Sequence, residues 1–290
     1  MFVECYDVGG TYLRAALVKD RKILGTVHRE RTQRDFCLQI EEISSRFQMN
    51  FTSPIPPLSI VVPGPVKEGI LVSAPPLNLH EPTYIQERFN KNSRSVLVNN
   101  DVDAALEAEL QYGAGQKYSS LYLLSLSTGI GAALAIEGKR VRGLSCEFGH
   151  NVLARESGFI CGCGHYGCWA SFSSGMGLRN FSKRYLGEEI EAKDILLLSK
   201  RGNTQAQRIV EEVRGYNAQG MGAMINVCPV DAIVLMGSLG LQAFDDLVPS
   251  FQELRKYTLH KEKIPIFPSS LGDTIGILGA YAIVPSSLSS

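Results

Sequence analysis

The sequence lacks an excess of either charge: 29 acidic and 29 basic side chains cancel to a formal net charge of zero. No segment gathers lysine and arginine densely, so the electrostatic footprint of a nucleic-acid binder is missing. Long apolar runs are missing too. The stretch 232–236 is strand-sized, and nothing approaches the roughly 20 residues needed to span a bilayer. The first residues, MFVECYDVGG, hold an apolar run too short for a secretory core and broken by Glu4 and Asp7. The expectation is a cytoplasmic protein with no membrane and no nucleic acid among its partners.

At 290 residues the chain exceeds a typical single domain, which predicts two lobes with a cleft between them. Seven cysteines are present, three of them within eight residues. In a reducing compartment such a cluster signals metal or reactivity rather than disulfides. Cys5, Cys37, Cys146 and Cys228 are scattered and read as small core residues.

The order of elements reads as mixed α/β. Residues 2–7 form a buried strand, Gly9-Gly10 a tight turn, and residues 12–18 and 23–28 two further strands. A helix over about 34–47 precedes an apolar strand at 58–62, which Pro63-Gly64-Pro65 ends. A strand at 95–98 leads into a helix from Asp101 to about Tyr112. The opening pattern then recurs as strand 119–125, turn Ser127-Thr128-Gly129 and strand 130–136. A loop-rich stretch over 142–174 follows, then helices, the longest over about 204–227. A buried strand at 230–236, a helix near 243–254, a short strand at 264–267 and an apolar closing helix at 273–284 complete the chain. The duplicated opening and the alternation of strands and helices argue for a two-lobed α/β fold.

Three glycine-bearing turns follow strands. Asp7-Val8-Gly9-Gly10-Thr11 sets a carboxylate, two bare residues and a hydroxyl where backbone amides can face a phosphate. Ser127-Thr128-Gly129-Ile130-Gly131 repeats the design, and Gly237-Ser238-Leu239-Gly240 gives a third turn. Each alone is also ordinary hairpin chemistry; together they can surround one nucleotide. None of them matches GxxxxGK[ST] or GxGxxG, which disfavours P-loop and dinucleotide-binding readings. Asp101 ends the segment Asn99-Asn100-Asp101, after a strand and at a helix start. A carboxylate held there can accept the proton of a substrate hydroxyl in phosphoryl transfer, or can simply cap the helix.

Cys161-Gly162-Cys163-Gly164-His165-Tyr166-Gly167-Cys168 packs three thiols into one loop. Tetrahedral zinc needs a fourth ligand, and spacing permits either His150 or His165. A closed set of four protein ligands leaves no place for activated water, so the metal reads as structural.

Together these motifs resemble the ROK family of sugar kinases and sugar-responsive repressors, over nearly the whole chain. The resemblance implies the actin-like ATPase (ribonuclease H-like) fold, with lobes over 1–113 joined by 273–290, and over 114–272. It implies that Asp7, Gly9, Gly10, Thr11 and Arg14 form a first phosphate motif, Ser127, Thr128 and Gly129 a second, and Gly237-Ser238 an adenosine-side motif. It places Gly64, Asn78 and Asn100 beside the sugar, makes Asp101 the catalytic base that also binds sugar, and gives Glu147 and His150 contacts to the sugar. It also selects His150 over His165 as the ligand completing Cys161, Cys163 and Cys168. ATP with Mg2+ and structural Zn2+ are the implied cofactors, and a homodimer formed through the second lobe, with the helix at 204–227, is the implied assembly.

One departure stands out. After Gly167-Cys168 the family usually has any residue and then Glu, whereas this chain reads Trp169-Ala170. The lost carboxylate weakens a plain glucokinase expectation and leaves room for a sugar altered at C2, N-acetylmannosamine first. Glucokinase or another hexokinase is the alternative. A sugar-binding regulator is the non-enzyme alternative, against which stand the absence of a helix-turn-helix before Phe2 and the retention of Asp101. His80, Trp169 and Ser171 lie near the implied pocket or serve core and surface.

Overall fold

The computed structural model describes residues 1–49, 55–90, 94–141, 147–156 and 158–285. Cys146 and part of the stretch 142–174 lie outside them. The chain divides into two compact units, Met1–Gly113 with the C-terminal segment from Asp273, and Ala114–Gly272.

In the first unit β1 (Phe2–Val8), β2 (Tyr12–Lys19) and β3 (Lys22–Arg31) form an antiparallel meander. Helix α1 (Phe36–Gln48) starts at Asp35, whose side chain accepts the Leu38 N–H. β4 (Leu58–Val62) is buried along its whole length, as expected of a central parallel strand covered on both faces. A small hairpin of β5 (Val66–Lys67) and β6 (Ile70–Leu71), then α2 (Ile85–Phe89), lead to β7 (Val96–Asn100) and α3 (Asp101–Tyr112). The sheet order is β3-β2-β1-β4-β7. One face buries Tyr6, Leu13, Ile40, Ile60 and Ile85. The other buries Val3, Cys5, Val18, Val61 and Ala104 against Ile277 and Ala280 of the C-terminal helix, Ile275–Ala282.

A buried ion pair fastens this unit internally. Glu4 on β1 pairs with Arg94 just before β7, and accepts the Ser44 hydroxyl of α1 at 2.7 Å. Arg94 in turn donates through Nε to the Pro56 carbonyl at 2.8 Å. Charges this deep persist only when both partners are hydrogen-bonded, as they are here.

The second unit contains β8 (Leu121–Leu126), β9 (Ile130–Ile136), β10 (Lys139–Arg140), α4 (Trp169–Ser173), α5 (Gly175–Leu186), α6 (Ala192–Lys200), α7 (Thr204–Val227), β11 (Ala232–Met236), α8 (Gly237–Gln242), α9 (Phe244–Leu247), α10 (Phe251–Leu254) and β12 (Ile266–Pro268). Its sheet runs β10-β9-β8-β11-β12, antiparallel over the first three strands and parallel over the rest, the same pattern of senses as in the first unit. The repetition legible in the opening strands therefore covers a whole five-stranded sheet.

Several boundaries differ from expectation. The helix expected near 243–254 is two short pieces, α9 and α10, and the turn expected at Gly237-Ser238 opens a helix of its own, α8. Pro249 disfavours helical backbone at Val248, which is extended (φ −84°, ψ 128°), and Ser250 then opens a new turn with a capping box. The closing helix starts at Ile275 rather than 273, after a 3-10 turn over Gly272–Thr274. Cys5 and Cys37 are core residues, whereas Cys228 is only partly buried where α7 ends. Among the described residues no helix is long and apolar enough to cross a membrane.

Candidate active site and metal centre

In the first unit the sheet delivers its chemistry at strand ends. The first glycine turn closes with the Gly9 N–H donating to the Tyr12 carbonyl at 2.9 Å. Thr32, beyond the end of β3, braces it: its hydroxyl donates to the Gly9 carbonyl at 2.6 Å and its N–H to the Thr11 carbonyl at 3.1 Å. Nothing in the sequence singled out Thr32. Gly10 is bare for a reason of packing, since an added Cβ would lie 2.9 Å from the Pro76 carbonyl oxygen. The segment around Asn78 thus backs on the first glycine turn. Asn78 itself, exposed and left-handed (φ 57°, ψ 36°), ends the 3-10 turn Pro75–Leu77, a conformation asparagine tolerates.

Asp7 lies at the end of β1, and Arg14 of β2, its partner in the ladder, donates to Asp7 Oδ2 at 3.2 Å. Burial pushes the Asp7 carboxyl above its ordinary range while the Arg14 charge opposes it. Asp101 begins α3, and burial together with the Asp7 charge pushes its carboxyl up to about 8. The residue is half-buried rather than sealed, so its carboxyl remains open to a reactant.

The structure separates the two roles open to Asp101. Asn100 is the N-cap, its Oδ1 accepting the Val102 and Asp103 N–H groups at 2.9 and 3.0 Å. Its Nδ2 donates to the Gly64 carbonyl at 3.0 Å, and Gly64 holds φ 109°, which needs glycine. Asn100 therefore ties the start of α3 to the turn after β4, keeping one amide hydrogen for another partner. Asp101 is relieved of capping, apart from a 2.9 Å contact of its Oδ1 with the Val102 N–H.

In the second unit the second and third glycine turns adjoin each other. A Cβ on Gly237 would meet the Leu126 carbonyl and the Ser127 side chain, and the Ser127 carbonyl accepts the Gly175 N–H at 2.8 Å. Above Gly129 an added Cβ meets nothing within 4 Å, so its backbone is open to an approaching ligand. Ser238 follows at the start of α8.

A candidate metal site is built around the start of α4. One donor atom each from His150, Cys161, Cys163 and Cys168 lies within 4.8 Å of the others. Cys161 Sγ stands 3.5 Å from His150 Nδ1, and Cys163 Sγ stands 3.7 Å from Cys168 Sγ. Three thiols and one imidazole at these separations fit a tetrahedral zinc ion. His165 is outside the group, its Nδ1 3.4 Å from Cys163 Sγ. The other ring nitrogen of His150 lies 3.8 Å from the Glu147 carboxylate, so the two expected sugar contacts are neighbours. Ala170 is buried in α4, as are Trp169 and Ser171, which serve the core; Trp169 donates through Nε1 to Asn217 at 3.0 Å. His80 is exposed.

This duplicated sheet, with an acidic glycine turn after its first strand, is the actin-like ATPase fold, which the ROK sugar kinases share. The chain belongs to the ROK family, whose sequence model matches residues 3–287. It is 27% identical over 244 residues to an N-acetylmannosamine kinase of Yersinia pseudotuberculosis, covering 81% of this chain and 82% of that one. A glucokinase of Streptomyces coelicolor is 23% identical over 300 residues, 94% of each chain. The crystal structure of a ROK hexokinase from Thermus thermophilus superposes with a TM-score of 0.79 at 25% identity, over 97% of this chain and 96% of that one.

Proposed function

We propose that the chain is an ATP-dependent kinase that transfers the terminal phosphate of ATP to the 6-hydroxyl of a hexose or N-acetylhexosamine. The observation that carries the reading is Asp101: a carboxylate at a helix start, relieved of capping by Asn100, with its carboxyl pushed up to about 8 next to the Asp7 turn. A base of that strength accepts a hydroxyl proton far better than an ordinary carboxylate, because proton affinity rises with pKa.

In its ionised form Asp101 takes the proton of the sugar hydroxyl as that oxygen attacks the γ-phosphorus in line and ADP leaves. The Asn100–Gly64 tie holds the start of α3 and the turn beside it in fixed register. The Thr32 brace fixes the Gly9–Thr11 backbone for phosphate. Asp7 is the carboxylate of the turn that would hold the magnesium of magnesium–ATP, which when bound would neutralise phosphate charge. His150, Cys161, Cys163 and Cys168 would hold zinc as a closed set of four ligands, which would fasten the loop before α4 and leave no open position for chemistry.

N-acetylmannosamine is the favoured acceptor. Position 170 carries a methyl group, buried in α4, where the family usually has a carboxylate, and the Yersinia relative bears that activity in its name. Glucose is the second reading, supported by the Streptomyces relative. ADP release measured with magnesium–ATP against glucose, mannose, N-acetylglucosamine and N-acetylmannosamine decides between them. Turnover of N-acetylmannosamine above the others, lost in Asp101→Asn, is the expected result. Preferred turnover of glucose would retain the kinase and refute the role given to Ala170, and no turnover with any sugar would overturn the kinase itself.

A further inference from the structure

Three close approaches fasten the C-terminal helix inside the first unit. A Cβ added at Gly279 would lie 2.7 Å from the Ala104 carbonyl carbon and 2.8 Å from its oxygen, so this helix crosses α3 backbone to backbone. Ser59 of β4 donates its hydroxyl to the Ala280 carbonyl at 2.6 Å. Gly276, in the first turn, differs from both: an added Cβ there would stand 2.5 Å from Cγ and 3.0 Å from Oδ1 of Asp7.

That obstacle cannot swing aside cheaply. Asp7 has a short side chain with its carboxylate only 13% exposed, and it is already engaged by Arg14.

We propose that Gly276 is a positioning residue for the nucleotide: its missing side chain lets the first turn of the C-terminal helix back directly on the Asp7 carboxylate, and so sets the affinity for magnesium–ATP without touching the sugar. The inference rests on the reading of the Asp7 turn as the phosphate site. It gives the apolar closing helix, which carries no catalytic group, a function at the reaction centre. Its glycines at 276 and 279 meet, respectively, the strand that carries Asp7 and the helix that carries Asp101.

Calorimetric titration with magnesium–ATP, and separately with sugar, tests this on wild type, Gly276→Ala and Ser59→Ala, with Asp7→Ala and Asp7→Ala/Gly276→Ala added for unfolding. One methyl group too many in a packed site costs enough to weaken nucleotide binding about tenfold in Gly276→Ala. Sugar affinity should stay at the wild-type level. Ser59→Ala, which loosens the same helix away from Asp7, should bind nucleotide as wild type does. Thermal unfolding supplies the second readout: Asp7→Ala makes room for the methyl group, so Gly276→Ala should lower the melting temperature in the wild-type background and not in the Asp7→Ala background. If Gly276→Ala alone fails to fold, the double variant should fold. Unchanged nucleotide affinity in Gly276→Ala, an equal loss in Ser59→Ala, or no relief by Asp7→Ala overturns the proposal while the kinase stands. A wild-type protein that binds no magnesium–ATP overturns both.

Discussion

At Asp101 a single side chain carries opposite consequences for catalysis and stability. Replacement by Asn keeps the size and removes the base, so kcat should fall about 10²- to 10⁴-fold while calorimetry shows magnesium–ATP still binding. Below a pH of about 8 the carboxyl is protonated and cannot accept a proton. The kcat/KM profile for sugar, which reports the free enzyme, should therefore rise with pH through about 8 and level off above it. The same shift bears on folding. With its pKa raised from 3.8 in the folded protein, Asp101 is more easily protonated folded than unfolded, and ionising it costs stability as pH rises from about 4 toward 8. Asp101→Asn should thus melt higher than wild type at pH 8, with the gap closing toward pH 4; equal melting temperatures at pH 8 would refute the raised carboxyl.

At the scale of elements, α3 and α4 show how short segments hold the site. Asn100→Ala removes a cap and the tie to Gly64 together, and should lower stability in urea unfolding by about 2 kcal/mol; Asn100→Asp keeps the cap and should lose about half of that. α4 hangs from Cys168, and the next residue is the only tryptophan of the chain, fully buried against Gly220 and Asn217. Stripping the metal with a strong chelator should shift its emission to longer wavelength, as should Cys168→Ser, while Cys228→Ser leaves it unmoved. Much of this was legible in the sequence. The strand-turn-strand opening, the limits of α3 and α7, and the spacing of the three cysteines each follow from local pattern, because residues near in sequence decide them. What was hidden depends on partners distant in sequence. Thr32 bracing Gly9, Pro76 filling the space above Gly10, and Arg94 meeting Glu4 leave no periodic trace. The break of the helix expected near 243–254 has its trace in Pro249, which the apolar spacing around it masks.

Across the whole molecule the two units are one sheet pattern used twice, yet they differ in how they are completed. The second unit is continuous, with its own core of Tyr122, Trp169, Phe172, Phe181, Met221 and Leu235. The first is not. Its second core joins Val3, Val18, Val61 and Ala104 to Ile277 and Ala280, and Met1 packs against the same cluster as Ile283 and Val284. Chain start and C-terminal helix thus share one apolar patch that residues 1–113 alone would leave exposed. Burying it removes water from one face of β1 and β4, the strands that carry the first glycine turn and lead to the turn at Gly64. A fragment of residues 1–113 should therefore be expanded, with far-ultraviolet but little near-ultraviolet dichroism. Placing residues 273–284 ahead of Met1 through a short flexible linker should restore the tertiary signal, because the two ends already meet. Residues 114–272 should show that signal without help. A well-ordered 1–113 fragment would refute the view that the last helix is part of the first unit's core, and with it the structural reason for Gly276 to lie against Asp7.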